Sequence, residues 1–339
     1  IVSGDQRTSH RILGYSPQGT FQTENVPANV QAWLDEYDNE VNVIRKSNAI
    51  INQGTGWEEA VGKVVVAPLI ATQWDQEEPF NEKCPKRNGE RSAVGCIAVA
   101  VGQIMNYYQW PQQAKGYVEY EWNSSWIEQD FTQCNYDYNH LDVSQFLYDI
   151  AVSCKTDFNS GNSGSSALET DMGRALINIF DYDKSMLMHY RETTWEGSER
   201  LIPTWNDEEW DHMLREELDA KRPILYSGVY ISGRSGTGHE FICDGYDDAG
   251  YFHFNWGWGG YCDGWYVTTS LRPEYSSGTN YNSRQSAFFG LKPNEGGTMR
   301  YCTCGKKNYI WGLAEKVNVM YCLENEKTHE KFYGNPNTY

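Results

Sequence analysis

The sequence has no long apolar run. Its longest, Val64–Ile70, contains Pro68 and falls well short of the roughly 18 consecutive apolar residues a membrane span needs. A membrane-spanning role is therefore set aside. Basic clusters are missing too: 28 Lys and Arg stand against 46 Asp and Glu, for a net charge of -18. Nucleic-acid binding needs such clusters to neutralise phosphates, so no nucleic-acid partner is expected. The acidic balance fits a soluble surface outside a cell. The first residues, IVSGDQRTSH, lack the basic start and apolar core of a signal peptide. If the protein is exported, that signal has been removed or lies outside these residues. Cysteine is sparse for a disulfide scaffold. There are nine, an odd number, so at least one is unpaired within the chain. Cys302 and Cys304 stand two apart with Cys322 further on, which is not the paired CxxC spacing of a zinc site. No metal and no cofactor are expected. No internal repeat is visible.

What is present is aromatic. The 339 residues include 13 Trp and 24 Tyr, enough for a large core and aromatic-walled clefts. Arg11–Tyr15 reads as a short strand and Ser16–Gly19 as a turn. Val30–Ile44 places Val30, Trp33, Leu34, Tyr37, Val41 and Ile44 on one helical face, with Asn29 as its cap. Asn52–Gly56 is a polar break suited to a linker. Cys96–Tyr108 reads as a buried helix, with small residues Ala98, Ala100 and Gly102 for close packing and Pro111 to end it. Two further helices are expected within 140–180, around an Asn159–Ser166 loop. Asp207–Ala220 is amphipathic, with Trp210, Met213, Leu214 and Leu218 on one face. Pro223–Tyr230, Glu240–Asp244, Tyr251–Phe254 and Gly264–Thr268 read as antiparallel strands, with Ile231–Gly238 as a glycine-rich turn. Helices first and strands afterwards imply an α+β fold of two sub-domains. Residues 295–339 follow a glycine-bearing break and read as a separate element.

Four short segments carry candidate chemistry. A thiol is a nucleophile only as thiolate, and a helix N-terminus or a neighbouring imidazolium favours that form. Cys96 follows Gly95 and opens the buried helix, although taken alone it better suits a small core hydrophobe. His239 follows the glycine-rich turn, and Gly238 beside it lets a substrate backbone approach. Of the seven histidines, His10, His140, His212 and His329 read as incidental, and His253 is the rival base. In Asn255–Gly260 (NWGWGG), Asn255 can accept a hydrogen bond from a histidine ring and Trp256 can shield it. That would make a Cys-His-Asn arrangement. An aromatic turn that only packs is the plain alternative. Gln76 can offer a side-chain amide beside the Cys96 N–H to hold an oxyanion, or can be a solvated loop residue.

These segments resemble the streptopain family of cysteine peptidases, which has a papain-like arrangement. The matching pieces are WDQEEPFN, VGCIAVAVGQIMNYYQWP, GHEFICDGYD, YFHFNWGWGG with the following DGWY, and SAFFGLKPN. They span about 66–294 and look nearer to interpain- and periodontain-type bacterial members than to the streptococcal enzyme. The resemblance implies a papain-like fold with a helical and an antiparallel-sheet sub-domain, preceded by part of a propeptide. It implies Cys96 as nucleophile, His239 as base, Gln76 at the oxyanion, and Asn255 with Trp256 behind the histidine. Gly238 and Trp256 would contact substrate. It further implies a secreted or cell-surface bacterial endopeptidase made as a zymogen. Its partners would be protein or peptide substrates and its own propeptide. The family tends to favour an apolar side chain two residues before the scissile bond. The expected layout is propeptide over 1–60, catalytic domain over 61–294, and an extension or the start of a further domain over 295–339. Cleavage between about Arg45 and Val64 would release the catalytic domain. Glu240 departs from the family, which has a small residue after the histidine. Two other function classes stay open here: a binding protein that keeps the fold, and an amidase or transpeptidase using the same dyad.

Overall fold

The computed structural model describes residues 14–15, 62–159, 164–194, 201–232, 235–273, 280–294, 309–314 and 317–322. The helices are α1 (Cys96–Tyr108), α2 (Val143–Ser153), α3 (Glu169–Asn178) and α4 (Asp207–Asp219). The strands run in chain order: β1 (Gly14–Tyr15), β2 (Val64–Val66), β3 (Lys86–Arg87), β4 (Glu90–Arg91), β5 (Tyr117–Trp122), β6 (Ser125–Asp130), β7 (Leu187–Tyr190) and β8 (Glu192–Thr194). They continue as β9 (Leu201–Pro203), β10 (Ile224–Ser232), β11 (Ser235–Asp247), β12 (Phe252–Asn255), β13 (Gly264–Tyr266), β14 (Ser283–Phe289), β15 (Tyr309–Ala314) and β16 (Val317–Cys322). The architecture is α+β, as expected.

One antiparallel sheet dominates, in the order β1-β13-β12-β11-β10-β14-β7-β15-β16, with β2 also paired to β11. Its two faces serve two cores. Side chains alternate along a strand, so Leu225 and Ile242 face one way and Tyr226 and Phe241 the other. Leu225, Ile242, Met188 and Phe288 join a core with α1, α2 and α3. Tyr226, Phe241, Phe254 and Trp256 join a second core with Trp210, Leu214 and Leu218 of α4.

Helix α1 is buried from Ile97 to Met105. Its small residues allow close contact with α2: a Cβ on Gly102 would lie 2.5 Å from Leu147 Cδ2. Helix α4 is amphipathic and begins with a capping box. Asn206 Oδ1 accepts from Glu209 N at 2.8 Å, and Glu209 Oε2 accepts from Asn206 N at 3.1 Å.

Several elements differ from the sequence reading. Ile231–Gly238 is the tip of a hairpin: β10 runs on to Ser232 and β11 starts at Ser235. The β5–β6 hairpin and strands β7 and β14 were not expected, although Val118–Trp122 of β5 alternates apolar and acidic residues. Within 295–339, the described strands form a hairpin whose β15 joins the main sheet, with Tyr309 opposite Met188. The 11–15 strand is described at Gly14–Tyr15, where it pairs with β13. The Ser16–Gly19 turn, the Val30–Ile44 helix with its Asn29 cap, and the Asn52–Gly56 linker lie outside the described residues.

Candidate active site

Cys96 is the first residue of α1, where main-chain N–H groups lack partners within the helix. Gly95 precedes it with φ 94° and ψ 146°, a conformation that disfavours any side chain. A Cβ on Gly95 would also lie 3.2 Å from the Ser165 carbonyl oxygen. Ser165 therefore packs hard against the residue before the thiol.

Strand β11 brings His239 to this helix end. The next residue, Glu240, donates its main-chain N–H to Cys96 Sγ at 3.5 Å. The His239 ring is buried on the aromatic face of the sheet. It stacks on Trp258 with centroids 4.7 Å apart and planes 19° apart, and lies 5.3 Å from the Tyr281 ring. Its Nε2 meets the Trp256 carbonyl oxygen at 2.8 Å. A carbonyl can only accept, so this nitrogen carries the proton and the other ring nitrogen is left to exchange one.

Two sequence expectations are corrected by this geometry. The histidine is held by the Trp256 carbonyl and not by the Asn255 amide. Asn255 Oδ1 instead accepts from Gln103 Nε2 at 2.9 Å and from Gly257 N at 3.1 Å, while its Nδ2 donates to the Thr72 carbonyl at 3.0 Å. Asn255 thus braces the loop that carries the Trp256 carbonyl. Trp256 itself is 0% exposed and cannot line a substrate cleft. Trp258, two residues on and partly exposed, covers the ring. The second Trp of NWGWGG was the available signal. Gln103 gave none, because a lone Gln inside an apolar helix does not reveal its partner.

Gln76 is partly exposed and is tied to the segment just before Cys96 by Val94 N, which donates to its carbonyl at 2.9 Å. Gly238 is exposed, with nothing within 4 Å of where a Cβ would stand, so backbone can approach it. His253 is committed elsewhere: its Nδ1 meets the buried Asp244 Oδ1 at 2.6 Å.

Burial dominates the electrostatics. It pushes the Cys96 thiol up to about 11, against the lowering effect of the Glu240 N–H and the helix-end N–H groups. Burial also pushes His239 down to about 4, partly offset by the Trp256 carbonyl. Both groups are neutral as they stand at pH 7. The Trp256 carbonyl favours a protonated His239, and the Glu240 and helix-end N–H groups favour a Cys96 thiolate. Among the described residues, no group of three or more His, Cys, Asp or Glu could hold a metal ion.

The chain is similar to known proteins over most of its length. Residues 74–266 match the Peptidase C10 family, and residues 1–41 match the Spi protease inhibitor family. The chain is 29% identical to the thiol protease/hemagglutinin PrtT of Porphyromonas gingivalis, over 86% of this chain but only 35% of that protein. It is 28% identical to streptopain of Streptococcus pyogenes, over 86% of this chain and 78% of streptopain. Among solved structures, active interpain A of Prevotella intermedia superposes with a TM-score of 0.56 at 27% identity, covering 66% of this chain and 95% of that one. A prointerpain A fragment from the same organism superposes with a TM-score of 0.59 at 24% identity, covering 86% of this chain and 92% of that one, a likeness of fold.

Proposed function

The chain belongs to the Peptidase C10 family and is a cysteine-type peptidase, and from that premise we propose that Cys96 is its nucleophile and His239 its acid–base partner. One observation carries the reading most directly: β11 passes so close to the start of α1 that Glu240 N–H reaches Cys96 Sγ at 3.5 Å. The histidine is the very next residue back along that strand.

The chemistry follows. The Cys96 proton moves to the free nitrogen of His239, and the Trp256 carbonyl steadies the resulting imidazolium. The thiolate attacks the peptide carbonyl carbon. Charge on the carbonyl oxygen falls between the Cys96 N–H and the Gln76 amide. His239 then protonates the leaving amine. Water, deprotonated by the same nitrogen, releases the acyl group and restores the thiol. Asn255 acts as a positioning residue through the Trp256 loop. Gly238 borders the path of the substrate backbone.

The match of 1–41 to the Spi protease inhibitor family supports a zymogen in which 1–60 is propeptide, 61–294 the catalytic domain and 295–339 an extension. The protein is secreted or held at a bacterial cell surface, and its partners are protein or peptide substrates and its own propeptide. N-terminal sequencing of active material is expected to place the cut between about Arg45 and Val64. An intact Ile1 in the active form contradicts this. Cys96→Ala is expected to lower casein cleavage by about 10⁴-fold or more, with the folded circular dichroism spectrum retained. Full activity in that variant overturns the assignment.

A further inference from the structure

Glu240 lies on the face of β11 opposite His239 and points toward the helices. Its cross-strand neighbour is Ser227 on β10, which in turn sits opposite Ser286 on β14, and Ser286 opposite Tyr190 on β7. Directly opposed residues share a face. A polar row therefore crosses four strands inside an otherwise apolar layer.

Glu169, the first residue of α3, closes over this row. Its Oε1 accepts from Ser227 Oγ and Ser286 Oγ, both at 2.6 Å, and its Oε2 accepts from Tyr190 OH at 3.2 Å. Glu240 has no such company. It is only 4% exposed, and its Oε1 is buried without any hydrogen-bond partner. Burial, and then the charge of Glu169, push its carboxyl well above the usual carboxylate range. A buried acid beside a second acid, with an oxygen unanswered, is costly unless something arrives to pair with it. Leu168, next to Glu169, is 59% exposed, and Cys96, Glu169 and Ser227 are partly exposed, so the polar row reaches the surface near the thiol.

We infer that Glu240 and Glu169 form a recess beside Cys96 that receives the cationic side chain of a substrate lysine or arginine, one or two residues before the scissile bond. The inference rests on Cys96 as nucleophile, because the Glu240 N–H at the sulfur is what sets the recess next to the reacting carbon. An ammonium or guanidinium has several N–H donors and can satisfy the orphan Glu240 oxygen, which an apolar side chain cannot. On arrival of the cation, Glu240 gives its proton to solvent and completes an ion pair. This specificity differs from the apolar preference implied by the resemblance to streptopain-type peptidases.

The test uses the full chain, incubated under reducing conditions until its activity is constant. Positional peptide libraries varied at the two residues before the cleaved bond are read by mass spectrometry, and the nucleophile is counted with an epoxysuccinyl thiol inhibitor. Arg or Lys is expected to exceed Leu at one of the two positions by about tenfold or more in kcat/KM. Glu240→Gln, which keeps the shape of the neutral acid, is expected to remove that margin, and Glu240→Ala to reverse it in favour of Leu. Thiol labelling with Leu equal to or above Arg and Lys at both positions overturns the recess and leaves the dyad standing. Absence of both labelling and cleavage overturns the dyad and the recess with it. A basic preference that survives both substitutions also overturns the assignment to Glu240.

Discussion

Cys96 and His239 come from two cores and have different immediate surroundings. The α1 helix itself contributes small and aliphatic side chains to the helical core, with Ala98, Ala100 and Val101 all buried, while rings such as Phe131, Phe146 and Phe158 fill that core further from Cys96. It fixes a backbone position, the start of a helix, where the Glu240 N–H meets the sulfur. In the sheet core, rings surround the imidazole. His239, Phe241, Trp256, Trp258 and Tyr281 lie within stacking distance of one another, and the Trp256 carbonyl locks one imidazole nitrogen. It fixes an orientation. A nucleophile needs to be placed, while a base must be both placed and turned, and the two kinds of packing answer those needs.

The comparison can be broken most sharply at His239. His239→Ala should lower kcat/KM by about 10³-fold or more while the midpoint of urea unfolding moves little, since the rings around it still pack on one another. Steady-state kinetics and an unfolding curve on the same sample check this. A small activity loss would move the base elsewhere, with His253 as the first place to look.

The helical core should be the less forgiving one to packing changes. Gly102→Val puts a Cβ 2.5 Å from Leu147 Cδ2 and 3.2 Å from the Trp74 ring. It should destabilise by about 3 kcal/mol in urea unfolding, the upper end for overpacking a core. A change under about 1 kcal/mol would mean that α1 and α2 separate easily.

The aromatic core should instead be the acid-sensitive one. His189, 4% exposed between Trp205 and Phe289, is pushed down to about 4 by burial, against 6.5 when unfolded. Above pH 6.5 neither state binds the proton, so nothing is lost. Between 6.5 and 4 only the unfolded chain binds it, so stability falls with pH, by up to about 3 kcal/mol from this residue. Below 4 the loss levels off. His189→Phe should shrink the difference in unfolding free energy between pH 7.5 and 4.5, and an unchanged difference would exonerate the residue.

The smallest expected effect tests the brace between the two cores. Asn255→Ala removes the acceptor for Gln103 Nε2 and Gly257 N and the donor to Thr72. A loss of about 2 kcal/mol in stability and about tenfold in kcat is expected, with KM little changed. A loss as large as that of His239→Ala would return Asn255 to direct contact with the histidine.

Local patterns were legible wherever the physics is local. The residues of α1 could be read to both ends, because Gly95, a run of small residues and Pro111 act within one segment. The same holds for α4, whose Asn206 and Glu209 cap it from three residues apart. The identities of Cys96 and His239 as candidates were also in the sequence, through their settings at a helix start and after a glycine-rich turn.

The partners of those residues were not. Asn255, Trp256 and Trp258 are consecutive or nearly so, and only the turn of the loop decides which atom faces the ring. A main-chain carbonyl belongs to every residue, so no residue type marks the one at Trp256 that holds His239. Glu240 and Glu169 stand 71 positions apart, and nothing in either neighbourhood names the other. Their meeting, and the buried oxygen it leaves unpaired beside Cys96, exist only because β7, β10, β11 and β14 align in register under the first turn of α3. Sequence alone determined which groups can do chemistry, since that is a property of side chains and short-range pattern. The tertiary structure decided which of them face each other, since that depends on strand register and helix placement summed over the whole chain.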